Sequence, residues 1–410
     1  MSLFELLKKD KPLFTAYAAL IIFCAALPFS VTAIQAGILL FIAVSLYLRR
    51  RDGAPVTLAA GIKGTPLFLP WLAYLGAGVL AAAFGVRPAA SFADLNSDIL
   101  TVVTFFGLCL FMKPGARDNA LKAYLFTIAA AAVIGVYQAL GGLASGLDIR
   151  AHAYAHPVRF GEIMVIGLTL ALSLLSYPEM LSSRTKKLLF AVVLLIVSAV
   201  VLSQTRGAYL GMALAFASLL AARRPALRTM LPVIATAALL GLALAMLNPA
   251  VRYKLGSISK GVNSAINTDE KTEDTPINIR LELWKTGIRM IKDRPVFGGG
   301  PGSVKVLFPD YYPKPYPSDV VWGSLHNLYI HQTAERGLVG LAALLALFGG
   351  MFLVSLRNFR AAPSPFTLWA LALMPAWFLM NMTEITFQHV HTSYAVMLSL
   401  AVSITAAKTK

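Results

Sequence analysis

The sequence predicts an all-α integral membrane protein of about 12 transmembrane helices, and three observations carry that expectation. Hydrophobic residues make up 58% of the chain, charged residues only 13%, and mean hydropathy is +0.70, values that belong to membrane proteins rather than to soluble domains. Apolar runs close to the span of about 20 residues that a bilayer requires recur along most of the chain. Lysine and arginine gather in short clusters between those runs, mostly in alternate loops. The chain therefore divides into a transmembrane bundle of about nine helices over 1–247, a largely helical cap over 248–336, and about three further helices over 337–410.

In chain order, the first spans are expected near 13–27 and 32–48. Lys8, Lys9 and Lys11 ahead of them resemble the start of a signal sequence, but the second apolar run follows at once, so a retained hairpin is expected. Further spans are expected near 66–84, 98–112, 122–144, 160–177, 188–203, 207–222, 229–247, 337–356, 365–382 and 390–406. One set of alternate loops carries Arg49 to Arg51; Lys113, Arg117 and Lys122; Arg184, Lys186 and Lys187; Arg223, Arg224 and Arg228; and Arg357 and Arg360. The opposite short loops carry only Arg87, Arg150, Arg159 and Arg206. Because lysine and arginine in short loops stay cytoplasmic, both termini are expected in the cytoplasm and the 248–336 segment outside.

This patterning also accounts for the formal charge of +17 without nucleic acid, since no basic stripe long enough to track a phosphate backbone is present. Cys24 and Cys109 both lie inside apolar runs and offer neither a disulfide framework nor a paired-cysteine metal site. A lipid-linked sugar transporter would place ionisable residues near mid-membrane and break helices in paired halves, whereas here the charges sit at helix ends.

Within the large segment, Thr275 and Pro276 read as an N-cap followed by proline at the first helical position. Ile277, Leu281, Trp284, Ile288 and Ile291 recur at helical spacing and predict an amphipathic helix that stops at Arg294-Pro295. Gly298, Gly299, Gly300 and Gly302 follow in a loop that can approach a neighbour closely. Pro309, Pro313, Pro315 and Pro317 favour an extended stretch, after which Ser324 is placed to cap a helix from Leu325 to about Gly337.

All six histidines fall in or beside segments expected outside the membrane: His152, His156, His326, His331, His389 and His391. His152 and His156 have the spacing of a helical ligand pair, but Pro157 disfavours helix at His156, and His326 and His331 would project apart on one helix. Arg206 occupies a turn of a few residues between two apolar helices, where a charge needs an anionic partner. Glu162 and Glu384 could serve inside the protein, and a diphosphate at the membrane surface would satisfy Arg206 and Arg280 together through bidentate contacts.

Three stretches carry a resemblance. Ser324-Leu325-His326-Asn327-Leu328-Tyr329, continuing to Glu335-Arg336-Gly337, resembles the His-Asn motif of the O-antigen ligase and polymerase superfamily. Ser203-Gln204-Thr205-Arg206-Gly207 is similar to its Ser-x-x-Arg-Gly turn. Arg280 with Trp284, then Pro295 to Gly300, is similar to its Arg-x-x-x-Trp helix and glycine turn. Together they cover roughly residues 155–395 in the family's order.

The resemblance implies a GT-C type glycosyltransferase of the bacterial inner membrane with its site facing the periplasm. It implies transfer of an undecaprenyl diphosphate-linked polysaccharide to a sugar hydroxyl of the lipid A core, with inversion at the anomeric carbon. A polymerase of the same superfamily and a protein-directed oligosaccharyltransferase are the alternatives. His326, Arg206 and Arg280 are the expected catalytic residues; Arg159, Arg289, Asn327, Tyr329, Trp284 and Glu384 are expected to contact substrate. No Asp-x-Asp pair occurs in the outside segments, so arginines are expected to take the place of a metal, with no cofactor. The expected partners are the lipid-linked glycan, the lipid A core oligosaccharide and membrane lipids.

Overall fold

The computed structural model describes residues 3–53, 58–223, 227–249, 251–253, 276–312 and 321–408. Its α-helices are α1 (Leu3–Lys9), α2 (Lys11–Ala26), α3 (Val31–Arg51), α4 (Leu58–Lys63), α5 (Phe68–Ala83), α6 (Pro88–Asp94), α7 (Asn96–Phe111), α8 (Pro114–Ala144) and α9 (Pro157–Leu175). They continue with α10 (Ser183–Leu202), α11 (Arg206–Ala222), α12 (Leu227–Leu247), α13 (Pro276–Asp293), α14 (Ser303–Tyr311), α15 (Leu328–Ala361), α16 (Pro365–Met380) and α17 (Val390–Lys408). No strand occurs among the described residues.

Every interval expected to span falls on one of these helices. Among the described residues, seven helical segments are long and apolar enough to cross a membrane, and five more apolar helices are shorter. Their starts are written in the sequence. Ser30, Ser182 and Ser364 cap α3, α10 and α16 through their hydroxyls, and Pro157 and Pro365 open α9 and α16. At Ser364 the cap is reciprocal, because Thr367 accepts in turn from the Ser364 amide.

The bundle is organised around α9, α16 and α17, which are apolar nearly all round and buried along most of their length. Helix α9 packs against α10, α11, α16 and α17, and α16 packs against α11 and α15. Trp369 and Trp377 of α16 are fully buried, and the Trp369 indole donates to the Ile166 carbonyl. These three helices all end near one another on the side where the polar residues collect.

Over that end lie α13 and α14, closed on the first turns of α15 by a small separate core of Leu283, Met290, Val304, Phe308, Leu325 and Ala334. The buried stripe of α13 is therefore Leu283, Thr286, Gly287 and Met290; Trp284 is only half-buried and Ile288 faces outward. Packing of Gly287 against Leu325 and Ile330 sets the centre of this stripe, and Trp284 and Ile291 of the expected apolar series pack at its margin. Helix α13 ends at Asp293 ahead of Pro295, as expected. Thr275, Pro313, Pro315 and Pro317 lie outside the described residues, and Pro309 sits inside α14 rather than in an extended stretch.

Helix α15 also departs from expectation. Ser324 does not cap it; its hydroxyl accepts the His326 amide, and the cap is Asn327, whose carboxamide oxygen accepts from Tyr329 and Ile330. At Gly337 the helix breaks, with φ 65° and ψ −170°. The break frees backbone groups, which are costly when buried and unsatisfied. The 295–300 turn takes them up: Gly299 and Gly300 donate to the Ala334 and Glu335 carbonyls, and Leu338 donates to Pro295. Beside this seam the buried Arg336 pairs with Asp98 and lies over the Tyr74 ring.

A side chain at Gly337 would meet the Val296 carbonyl in a backbone conformation that L-residues rarely adopt. Gly337→Ala is expected to lower the melting temperature and to speed proteolysis within 276–312. An unchanged melt and cleavage pattern would show that the seam does not hold the cap.

Candidate active site

The site is built where the turn between α10 and α11 meets the 145–156 loop. Ala151 donates to the Leu202 carbonyl, Arg150 Nε to Ser203 O at 2.8 Å, and Arg150 Nη2 to Thr205 Oγ1 at 3.1 Å. Gln204 Nε2 donates to Asp148 Oδ1 at 2.6 Å. These bonds lay Arg150 beside Arg206, the first residue of α11.

Two glycines bring the turn against the rest of the site. A Cβ on Gly161 would fall 2.7 Å from Ser203 Oγ, and one on Gly207 would fall 2.3 Å from Thr383 Oγ1. Only hydrogen at these positions lets α9, α11 and the 381–389 segment close on one another. Arg206, Glu162 and Glu384 are the immediate chain neighbours of those contacts.

The 381–389 segment is held by Asn381, which is fully buried. Its Oδ1 accepts the Phe387 amide at 2.9 Å, its Nδ2 donates to Trp377 O at 2.9 Å, and its carbonyl accepts the Leu328 amide at 2.8 Å. One residue thus fixes both the 384–389 turn and the start of α15. Between them Glu384 Oε2 meets His326 Nδ1 at 2.9 Å, with the Trp322 ring edge-on to the imidazole.

Burial acts to raise the Glu384 pKa, but the hydrogen bond and charge of His326, the charge of His389 and the Ile385 amide outweigh it and hold the carboxyl at about 2. An ionised Glu384 can only accept, so Nδ1 of His326 carries the proton and Nε2 presents its lone pair. The His326 side chain keeps 24% of its surface exposed, so a substrate hydroxyl can reach it. Nothing else in the pair is open, because Glu384 is buried behind the ring.

Three residues other than glycine have positive φ among the described residues: Ala153 at 48°, Gln204 at 53° and His326 at 48°. All three lie at this junction. Such backbone costs about 1 to 3 kcal/mol each and persists where the surroundings over-determine it, as around active sites.

Arg150, Arg206 and Arg280 are all half-buried, and the charge of Arg280 acts on both of the others. Like charges gathered this way repel, so the arrangement favours an anion among them. Below them an apolar groove of about 370 Å³ runs between α10, α11 and α12. Val201, Tyr209, Phe216, Gly241 and Val251 are among its lining residues, and Tyr209 lies one turn beyond Arg206.

The remaining expected residues lie as follows. Arg159 is exposed in the first turn of α9, and its charge acts on His156 and His391. Asn327 caps α15, and Tyr329 donates to Phe378 O at 3.0 Å. Arg289 Nη1 donates to Tyr311 O at 2.9 Å, bracing α13 on α14, and Trp284 packs against the small core there. Of the carboxylates considered for Arg206, Glu384 bonds His326 and Glu162 accepts the Thr386 hydroxyl at 2.7 Å. Sequence reasoning did not single out Arg150 or His389 for the site. Arg150 could have been suspected as one of the few cations in the opposite short loops.

An all-helical chain with several membrane-length apolar helices, an imidazole–carboxylate pair and clustered arginines at one end defines a multi-pass membrane protein with the elements of an acid–base site. The family model described as O-antigen ligase matches residues 190–345, and this match supports membership of the O-antigen ligase superfamily, whose members are glycosyltransferase-like ligases and polymerases. A curated Haemophilus influenzae protein, described as an uncharacterized protein, is 24% identical over 162 residues. That match covers 38% of this chain and 40% of the relative.

Because Glu384 is depressed in the folded protein, its contribution to stability is fully present above the ordinary carboxylate range near pH 4.3 and is lost as pH falls through about 2. The melting difference between wild type and Glu384→Gln should shrink as pH falls from about 4 towards 2. A difference that grows across that acid interval would contradict the pairing.

Proposed function

We propose that the chain is an O-antigen ligase, transferring an undecaprenyl diphosphate-linked polysaccharide to a sugar hydroxyl of the lipid A core. The observation that carries this reading is the His326–Glu384 pair beside Arg150, Arg206 and Arg280 at the end of an apolar groove. A polyprenyl tail suits the groove between α10, α11 and α12, and the diphosphate suits the arginines, whose planar forks match phosphate oxygens. In this reading about 12 helices of GT-C type span the bacterial inner membrane, with both termini cytoplasmic and α13 and α14 in a periplasmic cap.

The acceptor hydroxyl gives its proton to Nε2 of His326 while its oxygen bonds to the anomeric carbon. The bond from that carbon to the diphosphate breaks, and the diphosphate leaves with the electron pair. Glu384 stabilises the imidazolium that forms, and the three guanidinium groups take the charge that develops on the leaving group. Attack from the face opposite the diphosphate inverts the anomeric centre. Arg159 contacts glycan or phosphate at the mouth. Asn327, Tyr329, Trp284 and Arg289 serve by holding the elements that carry the site.

The test offers purified enzyme the lipid-linked glycan with lipid A core and, separately, without a second acceptor. Glycan on the core, lost in His326→Ala, supports the ligase. Longer glycan on the lipid diphosphate with the core untouched would make it a polymerase. Arg206→Ala, Arg280→Ala and Arg150→Ala should each lower transfer about 100-fold or more, with lysine restoring only part. Near-wild-type transfer in any one would remove that arginine from the diphosphate site.

A further inference from the structure

Behind Glu384 lies a second imidazole and carboxylate that the reaction as described does not use. Glu162, in the second turn of α9, is fully buried. Its Oε1 accepts the Thr386 hydroxyl, while its Oε2 faces Nδ1 of His389 at 3.8 Å. Both of those atoms are buried, and neither has a hydrogen-bond partner among the described residues. The 384–389 turn carries Glu384 at one end and His389 at the other, so one short segment presents a carboxylate to His326 and an imidazole to Glu162.

We propose that Glu162 and His389 form an ion pair that positions and tunes His326 through Glu384. A buried carboxylate without a positive partner costs several kcal/mol, and His389 carries the imidazole that Glu162 faces. An imidazolium at His389 then acts on Glu384 alongside His326. It competes with His326 for the Glu384 charge, and Glu162 offsets that competition.

The other groups that act on this array are few. His156, ahead of α9, is influenced by Glu384, His389, Arg150 and Arg159. His391 on α17 is influenced by His389 and Arg159, and His331 on α15 by Glu384, His326 and Arg336. None of them faces the Glu162 carboxylate at ion-pair distance among the described residues.

This inference rests on His326 as the base, yet its test does not need turnover. Carbethoxylation of His326 by diethyl pyrocarbonate, followed peptide by peptide with mass spectrometry from about pH 5 to 9, reports the pH of half-modification. Removing the imidazolium in His389→Gln makes protonation of His326 easier, so half-modification should move up by about half a pH unit. Removing the carboxylate in Glu162→Gln should move it down by a similar amount. Opposite shifts are the expected result, since loosened packing would alter the rate or plateau and not move the midpoint in two directions.

Unchanged midpoints, or shifts of the same sign, would overturn the pair. Where Glu162→Gln does not fold, the less buried His389→Gln decides alone, and an unchanged or lowered midpoint overturns it. Transfer measured on the same preparations separates the two readings: opposite shifts without transfer from any lipid diphosphate would leave the pair standing and remove the ligase.

Discussion

Asn381 is the residue on which the geometry of the site depends. Its carbonyl, carboxamide oxygen and carboxamide nitrogen reach three different elements: the start of α15, the 384–389 turn and the end of α16. His326 and Glu384 are 58 residues apart in sequence, and they meet at 2.9 Å because this one buried residue ties the segments that carry them. In a low-dielectric interior a fully satisfied amide of this kind holds its partners in one arrangement, since any other leaves several polar groups unpaired.

The surrounding structure serves the same end. The apolar helices α9, α16 and α17 form a rigid centre whose ends define one polar corner. Close contact at Gly161 and Gly207 pulls the arginine turn into that corner, and the break at Gly337 seats the cap over it. Strain accepted at Ala153, Gln204 and His326 is paid for by this framework. The proposed chemistry follows from placement: an imidazole held by a carboxylate, and cations held near the end of an apolar groove.

The helices were legible because a bilayer imposes length and composition, so apolar runs and basic loop clusters locate them with little ambiguity. His326, Arg206 and Arg280 were singled out through motifs at the junctions of those runs. What the sequence did not reveal depends on pairing across long separations. Spacing located the amphipathic helix α13 but not the centre of its buried stripe, which the contact of Gly287 with Leu325 and Ile330 sets, with Trp284 and Ile291 at the margin. Ser324 was a plausible cap, but its hydroxyl is taken by the strained turn at His326, and Asn327 caps instead. Glu384 was considered as a partner for Arg206; its bond to His326 became visible only once α15 and the 384–389 turn were in place.

The central claim is that one corner holds both the base and the diphosphate of a lipid-linked donor. A cryo-EM structure of the full chain in nanodiscs with undecaprenyl diphosphate-linked glycan tests it most directly. The account predicts density for the diphosphate among Arg150, Arg206 and Arg280, the lipid tail between α10, α11 and α12, and the anomeric carbon facing Nε2 of His326. Diphosphate density away from those arginines, with His326 turned from the sugar, would contradict it.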